Sequence, residues 1–168
     1  MRLFIAIDIP KNILSYVNEV QSKLKGVRLT KNFHITLNFI GELDKKKLPD
    51  LIFLLNNITF NEFELETTNL GVFPSTENIK VIWIGLKNNN NTLMELQKSI
   101  EKTLIEFDIK KDFEFHPHIT LARVSRSIEF PNFNLESKLF TVKEFALYQS
   151  VLTSQGPIYK KIKKWKAN

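Results

Sequence analysis

The chain has 168 residues, no cysteine and a formal net charge of +6 at pH 7. The lack of cysteine excludes a disulfide framework and any thiolate zinc site, and fits a reducing compartment. Asp8 interrupts the N-terminal apolar stretch too early for a signal peptide, and no apolar run approaches membrane length. We therefore expect a cytoplasmic protein with no membrane partner, whose basic charge attracts polyanions without specifying one.

Hydrophobic patterns predict an alternation of strands and helices along the chain. Runs rich in β-branched and aromatic residues predict strands at residues 2–9, 33–40, 63–72, 79–86, 115–124, 140–150 and 158–165. Apart from Lys80 the strand at 79–86 is a continuous apolar run, which predicts burial on both faces. Apolar residues at helical spacing predict helices from Pro10 to Gly26, near residues 48–55, and from Leu93 to Phe107.

Turn-forming and polar residues separate these elements. Residues 73–78 and 125–137 predict loops, and Gly156-Pro157 predicts a turn before the last strand. Residues 110–114 predict a short lead-in to the strand at 115–124. Lysines alternate with apolar residues in the last strand, which is typical of a charged edge strand.

One tetrapeptide occurs twice, as His34-Ile35-Thr36-Leu37 and as His118-Ile119-Thr120-Leu121, and it contains two of the three histidines. Both copies lie in predicted strands, where alternate side chains share a face. Each copy therefore presents an imidazole and, about 7 Å further on, a threonine hydroxyl on one face, with aliphatic side chains on the other. The same alternation places Phe39 on the buried face, Ala122 beside Thr120, and Arg123 on the opposite face unless the strand's end turns it.

Two imidazoles and two hydroxyls suit the chemistry of a phosphodiester. Imidazole titrates near neutrality, so one histidine can accept a proton while the other donates one. The Thr36 and Thr120 hydroxyls can donate hydrogen bonds to the non-bridging oxygens. This scheme needs neither a metal nor another cofactor, and the identical motifs leave the acid and the base unassigned. The alternative is a repeated strand-forming tetrapeptide whose histidines make only structural hydrogen bonds.

The order of the elements indicates a diverged duplication. We expect an α+β fold in which residues 1–168 form a single domain with two pseudo-symmetric lobes, each an antiparallel β-sheet backed by helices. A pseudo-two-fold axis would bring the two motif strands face to face across a central active-site cleft.

Other side chains near the motifs are further candidates. Arg123 could bind phosphate through paired hydrogen bonds, or form a surface ion pair. For His116 we favour a structural role or a place at the rim of a site. Phe39 and Tyr148 could each stack on a base; we favour core packing for Phe39, whereas Tyr148 stays open.

Several segments together resemble the two-histidine (2H) phosphoesterase superfamily, whose mark is a pair of His-x-Thr-x motifs. Within it the resemblance is to the RNA 2′,3′-cyclic phosphodiesterases, historically called 2′-5′ RNA ligases. The segments that carry it are residues 1–7, 32–42, 71–74, 81–86, 115–123, 147–150 and 156–159. Lys80 departs from the arginine that relatives often carry before the central strand.

The resemblance implies a positively charged cleft and hydrolysis of a terminal RNA 2′,3′-cyclic phosphate to a 2′-phosphomonoester. It implies that His34 donates a proton and that His118 accepts one. The alternatives are a 2′-5′ RNA ligase or 2′-5′ oligonucleotide phosphodiesterase with the same site, and a non-catalytic module that binds RNA ends. The expected partner is RNA with a 2′,3′-cyclic phosphate end, such as a tRNA fragment, and the expected state is a monomer.

Overall fold

A computed structural model describes residues 1–110, 114–154 and 156–168. The strands are β1 (Arg2–Asp8), β2 (Arg28–Leu29), β3 (His34–Glu42), β4 (Phe63–Ser75), β5 (Asn78–Lys87), β6 (His118–Arg123), β7 (Leu139–Val142), β8 (Glu144–Thr153) and β9 (Gly156–Lys166). The helices are α1 (Lys11–Ser22), α2 (Leu48–Leu55), which follows a 3₁₀ turn (Lys45–Lys47), and α3 (Thr92–Glu106). Within the described ranges, no helix is long and apolar enough to cross a membrane. The lead-in predicted at 110–114 falls mostly on residues 111–113, which lie outside the described residues.

The strands form two antiparallel sheets, one in each lobe. The first sheet has the order β3-β1-β8-β9, and the second has the order β2-β6-β5-β4-β7. The predicted α+β class with two antiparallel lobes is confirmed, and β9 is an edge strand as expected. The lobes are not the two halves of the chain, however, because β8 and β9 return from the C-terminal part to complete the first sheet.

The repeated unit is a strand, a helix and a motif strand. It occurs as β1–α1–β3 in the first sheet and as β5–α3–β6 in the second. In both units the motif strand pairs antiparallel with the strand that precedes the helix. β3 contacts β6, α1 contacts β6 and α3 contacts β3, so each helix packs against the motif strand of the other unit. These contacts hold the two motif strands together at the junction of the lobes.

A β-bulge interrupts each motif strand at the leucine of the tetrapeptide. The register skips Leu37 in the β1–β3 pairing and Leu121 in the β5–β6 pairing. A bulge adds one residue to one strand and changes the face on which the following side chains lie. The alternation predicted from the sequence therefore stops directly after each threonine.

The bulges move three side chains away from their predicted positions. Phe39, expected in the core, is 47% exposed and lines the cleft between the lobes. Ala122, expected beside Thr120, is fully buried. Arg123, expected on the opposite face from His118 unless the strand's end turned it, also lines the cleft, as its candidacy for binding phosphate requires. These predictions were wrong because strict alternation holds only in a strand without a bulge.

The run predicted as one strand at 140–150 is two strands in different sheets. β7 pairs with β4 in the second sheet, whereas β8 pairs with β1 and β9 in the first. Lys143 alone separates them. The prediction was wrong because a single residue is enough for the chain to cross between the lobes, and one lysine does not interrupt a β-favouring pattern.

Smaller details also differ from the prediction, and the second motif strand begins at His118 instead of Phe115. The first helix ends at Ser22, before Gly26, and the loop predicted at 73–78 is a hairpin in which β4 reaches Ser75 and β5 begins at Asn78. Gly156-Pro157 begins β9 instead of forming a turn. β5 is fully buried over residues 84–86, but Val81 faces the cleft because its end of the strand borders the other lobe.

Candidate active site

The two motif strands line a cleft of about 740 Å³ between the lobes. His34 and Thr36 from β3 reach this cleft from one lobe, and His118 and Thr120 from β6 reach it from the other. All four side chains are half-buried. The structure therefore brings the four residues predicted from the tetrapeptides into one cavity.

The same backbone hydrogen bond orients each motif histidine. Nδ1 of His34 lies 3.2 Å from the Asn32 carbonyl oxygen, and Nδ1 of His118 lies 2.6 Å from the His116 carbonyl oxygen. A carbonyl oxygen can only accept, so Nδ1 carries the proton in both bonds. Nε2 of each neutral imidazole is then the nitrogen that can exchange a proton with a ligand.

Each imidazole packs against two aromatic rings from other strands of its sheet. The centroid of His34 lies 5.1 Å from that of Phe4 in β1 and 5.2 Å from that of Tyr159 in β9. His118 has a matching environment in the second sheet, formed by Phe73 of β4 at 5.1 Å and Trp83 of β5 at 5.8 Å. These rings limit rotation of the imidazoles and reduce their contact with water.

Burial lowers the pKa of both histidines, because the charged imidazolium loses hydration. The Nδ1 hydrogen bond partly opposes this effect in each case. The neighbouring charges differ between the two sites. The pKa of His34 is further lowered by His118 and raised by Asp8, whereas the pKa of His118 is lowered by His116.

Asp8 marks the main difference between the two histidines. It lies opposite His34 in the β1–β3 register, whereas Gly85 lies opposite His118 in the β5–β6 register. The Asp8 carboxylate accepts a hydrogen bond from the Tyr148 hydroxyl and forms a salt bridge with Lys161. A second cavity of about 370 Å³ touches Asp8, Tyr148 and His34.

Tyr148 has a structural role and does not offer its ring to a base in the cleft. Its side chain is 7% exposed, and its ring stacks on Phe4 at 5.2 Å. Burial and then the hydrogen bond with Asp8 raise the pKa of Tyr148, so the hydroxyl keeps the proton that it donates. Tyr148 supports the ring that packs on His34 and holds the Asp8 carboxylate.

The remaining candidates lie at the rim of the cleft or outside it. His116 is exposed at the rim, with its ring near those of Phe73 and Trp83. Lys80 is exposed and does not line the cleft. In the part of the chain that the structure describes, no three or more His, Asp or Glu side chains are grouped closely enough to hold a metal ion.

Cations outnumber acids around the cleft. Among the described lining residues the acids are Glu101 and Glu114, and the cations are Arg2, Arg28, Lys31, Lys110 and Arg123. The expected positive charge of the cleft is thus present. Sequence reasoning did not identify Arg28, because no local pattern indicates that the two-residue strand β2 pairs with the second motif strand.

Trp83 packs against a glycine that leaves room for its indole. Gly71 lies opposite Trp83 in the β4–β5 register, and a Cβ added at Gly71 would lie 2.0 Å from the indole ring. Such an approach is impossible without moving the ring. Since Trp83 packs on His118, the position of that imidazole depends on the missing side chain at Gly71.

Comparisons with known proteins show a consistent relationship. The model of the LigT-like phosphoesterase family matches residues 5–83 and residues 84–159, so that each match contains one tetrapeptide. The RNA 2′,3′-cyclic phosphodiesterase of Methanocaldococcus jannaschii is 36% identical, with 98% of this chain and 100% of the relative covered. That of Archaeoglobus fulgidus is 34% identical, with 97% of this chain and 98% of the relative covered.

Solved structures show the same relationship. A crystal structure of a Thermus thermophilus protein matches with a TM-score of 0.86 and 27% identity, over 99% of this chain and 97% of that one. Escherichia coli LigT in complex with 3′-AMP matches with a TM-score of 0.83 and 28% identity, over 99% and 97% of the two chains. The similarity therefore extends over both lobes and the cleft between them.

The contact between Gly71 and Trp83 yields a testable prediction. Gly71→Ala should displace the indole and lower both the melting temperature and the catalytic activity, since overpacking typically costs about 1–3 kcal/mol. Thermal unfolding and turnover would be measured together. Adding Trp83→Phe should recover part of both losses by making room for the methyl group. An unchanged Gly71→Ala protein would contradict the dependence of His118 on this packing.

Proposed function

The chain belongs to the LigT-like phosphoesterase family, and on that basis we propose that it hydrolyses a terminal RNA 2′,3′-cyclic phosphate to a 2′-phosphomonoester. The observation that carries this proposal is the pairing of two imidazoles in one cleft, each with Nδ1 bonded to a carbonyl and each two residues from a threonine hydroxyl. Relatives at 34–36% identity are named RNA 2′,3′-cyclic phosphodiesterases and match along almost their whole length.

In this proposal the two histidines act as one acid and one base. Nε2 of His118 takes a proton from water, whose oxygen attacks phosphorus in line and forms the new P–O bond. The bond from phosphorus to the 3′ oxygen breaks, and the His34 imidazolium protonates that oxygen. Thr36 and Thr120 donate hydrogen bonds to the non-bridging oxygens and stabilise their growing negative charge.

The charges near the histidines support this assignment of roles. A carboxylate favours the charged form of a nearby imidazole, which suits an acid that must hold a proton. Asp8 supplies that carboxylate at His34, whereas His118 has Gly85 opposite and His116 nearby. The identical tetrapeptides are thus embedded in different electrostatic surroundings.

Two further side chains are proposed to bind the substrate. Arg123 lines the cleft from the same strand as Thr120 and offers a guanidinium to the phosphate. Phe39 lines the cleft from the other motif strand, 47% exposed and 6.3 Å from Phe4, where its ring can stack on the terminal base. Both residues stand five positions after the histidine of their motif.

The same site also suits a related transesterification and its reversal. If a 5′-hydroxyl replaces water, the same acid and base support 2′-5′ RNA ligation and the cleavage of 2′-5′ oligonucleotides. A module that only binds RNA ends would need hydrogen-bond donors but no pair of titrating imidazoles. A tRNA fragment as substrate, a monomeric state, a cytoplasmic location, a single domain over residues 1–168 and independence from metal stay predictions.

The two-histidine mechanism predicts the effect of removing either imidazole. His34→Ala and His118→Ala should each reduce turnover of a cyclic-phosphate RNA by about 10²–10⁴-fold. The double variant should be little worse than either single variant, because the two groups act together. Thr36→Ala and Thr120→Ala should lose roughly ten- to a thousandfold. His116→Ala is the matched control, since it removes the third histidine at the rim and should keep most of the activity.

The readouts are turnover in the presence of a chelator and the melting temperature of each variant. Activity should survive chelation, because the proposed chemistry uses no metal. Full activity in either motif-histidine variant would contradict the mechanism. Loss of activity on chelation, with recovery on adding zinc or manganese, would contradict metal independence.

The carboxylate of Asp8 beside His34 leads to a prediction about the pH profile of activity. The charged and titratable groups around His34 are Asp8, Lys31, His118, Tyr148, Tyr159 and Lys161. Asp8 raises the pKa of His34, so Asp8→Asn should lower it. The acid would then deprotonate sooner as pH rises, and the alkaline limb of kcat/KM should move to lower pH. The acidic limb, set by His118, should stay in place.

The matched control for Asp8→Asn is Glu144→Gln. Glu144 also pairs with Lys161, at 3.9 Å, so this variant removes one negative charge from the same network without removing Asp8. Its pH profile should keep the alkaline limb of the unaltered protein. Equal shifts in the two variants, or no shift in Asp8→Asn, would show that Asp8 does not bias His34.

A further inference from the structure

Two arginines lie side by side on one wall of the cleft. Arg28 of β2 is directly opposite Arg123 of β6, and Arg123 is in turn opposite Val81 of β5. Both arginines are exposed and both line the cleft. Residues directly opposite in an antiparallel pair have Cα atoms about 4.5–5.5 Å apart, so the two guanidinium groups share one surface.

This pair of charges has no acidic partner in the described part of the chain. Among residues 1–110, 114–154 and 156–168, neither arginine forms a salt bridge with an acid. Lysines elsewhere do have acidic partners, as for Lys87 with Glu66 at 2.9 Å and Lys164 with Glu144 at 2.8 Å. Like charges directly opposite each other destabilise a strand pair, and a bound anion would remove that cost.

The strand that carries Arg28 is held firmly against the second motif strand. The Thr30 backbone N–H donates to the Leu121 carbonyl oxygen at 2.8 Å. The buried amide of Gln21 donates to the same oxygen at 2.7 Å and to the Thr30 carbonyl oxygen at 2.8 Å. The backbone that carries Arg28 is thus held in place, although β2 has only two residues.

We propose that Arg28 binds the phosphodiester that lies 5′ to the terminal nucleotide of the RNA, while Arg123 binds at the cyclic phosphate. Guanidinium groups form paired hydrogen bonds with phosphate oxygens, and two of them can hold two consecutive phosphates. β2 is the edge strand next to β6, which carries both His118 and Arg123. Arg28 is therefore further from His118 than Arg123 is. This inference rests on the proposed function and makes a short RNA chain, instead of a mononucleotide, the preferred substrate.

The test compares three substrates that differ in one linkage. They are adenosine 2′,3′-cyclic phosphate, the dinucleotide ApA with the same cyclic end, and that dinucleotide with an uncharged methylphosphonate linkage. The charged dinucleotide should have a kcat/KM at least about tenfold above that of the other two, as expected for hydrogen bonds to a charged group. Arg28→Ala should remove most of this preference. It should also reduce the slope of log K against log salt concentration for dinucleotide binding by about one, as expected for the loss of one phosphate contact.

Arg126→Ala is the matched control, because Arg126 is an exposed arginine that does not line the cleft. It should keep the preference for the charged dinucleotide. Thermal unfolding should show that Arg28→Ala melts no lower than the unaltered protein, since it relieves a repulsion. A lower melting temperature would show that the arginine is structural and would overturn the inference.

Equal losses on all three substrates would place Arg28 at the cyclic phosphate and would overturn the inference, as would an unchanged preference. If no substrate is turned over, the proposed function fails separately. Calorimetric titration with 2′-AMP and with ApA carrying a terminal 2′-phosphate then tests the site directly. Arg28→Ala must weaken binding of the dinucleotide at least about tenfold more than binding of 2′-AMP; equal effects would overturn the inference.

Discussion

The active-site geometry depends on the hydrogen bond from each Nδ1–H to the carbonyl two residues earlier. A half-buried imidazole needs a partner for its N–H, and this carbonyl satisfies it, fixes the tautomer and directs Nε2 to the cleft. The surrounding structure maintains that bond. Antiparallel pairing holds the backbone of each motif strand, and two aromatic rings hold each imidazole. Each helix packs against the motif strand of the other repeated unit, and this packing brings the two histidines to one cavity.

The two nearly symmetric motif strands are surrounded by different chemical groups. Asp8 lies opposite His34, whereas Gly85 lies opposite His118, so the strand pairing gives a carboxylate to the first histidine and no side chain to the second. Five residues after the histidine, the first motif strand has Phe39 and the second has Arg123. In the proposed complex, one lobe therefore stacks on a nucleobase while the other binds phosphate. In the proposed mechanism, the repeated unit positions the two histidines. Differences between its copies then assign the general acid and the general base, and separate the nucleobase contact from the phosphate contact.

Local patterns in the sequence predicted the repeated motif, the α+β class and the shared face of each histidine and threonine. They failed where one residue changes a long-range pairing. Strict alternation misplaced Phe39 and Arg123, because the bulges at Leu37 and Leu121 arise from pairing with β1 and β5. Lys143 gave no sign that the chain changes sheets there. Arg28 has no local signal, because its position depends on a partner almost a hundred residues away.

The central claim is that His34 protonates the leaving 3′ oxygen while His118 activates water. The most direct test is phosphorus NMR of the product formed from an RNA that ends in a 2′,3′-cyclic phosphate. In-line attack can expel either ring oxygen, and the position of the acid selects which one leaves. We expect the terminal 2′-phosphomonoester alone. A 3′-phosphomonoester would contradict the assignment of acid and base, and RNA that stays cyclic while bound to the protein would contradict the proposed hydrolysis.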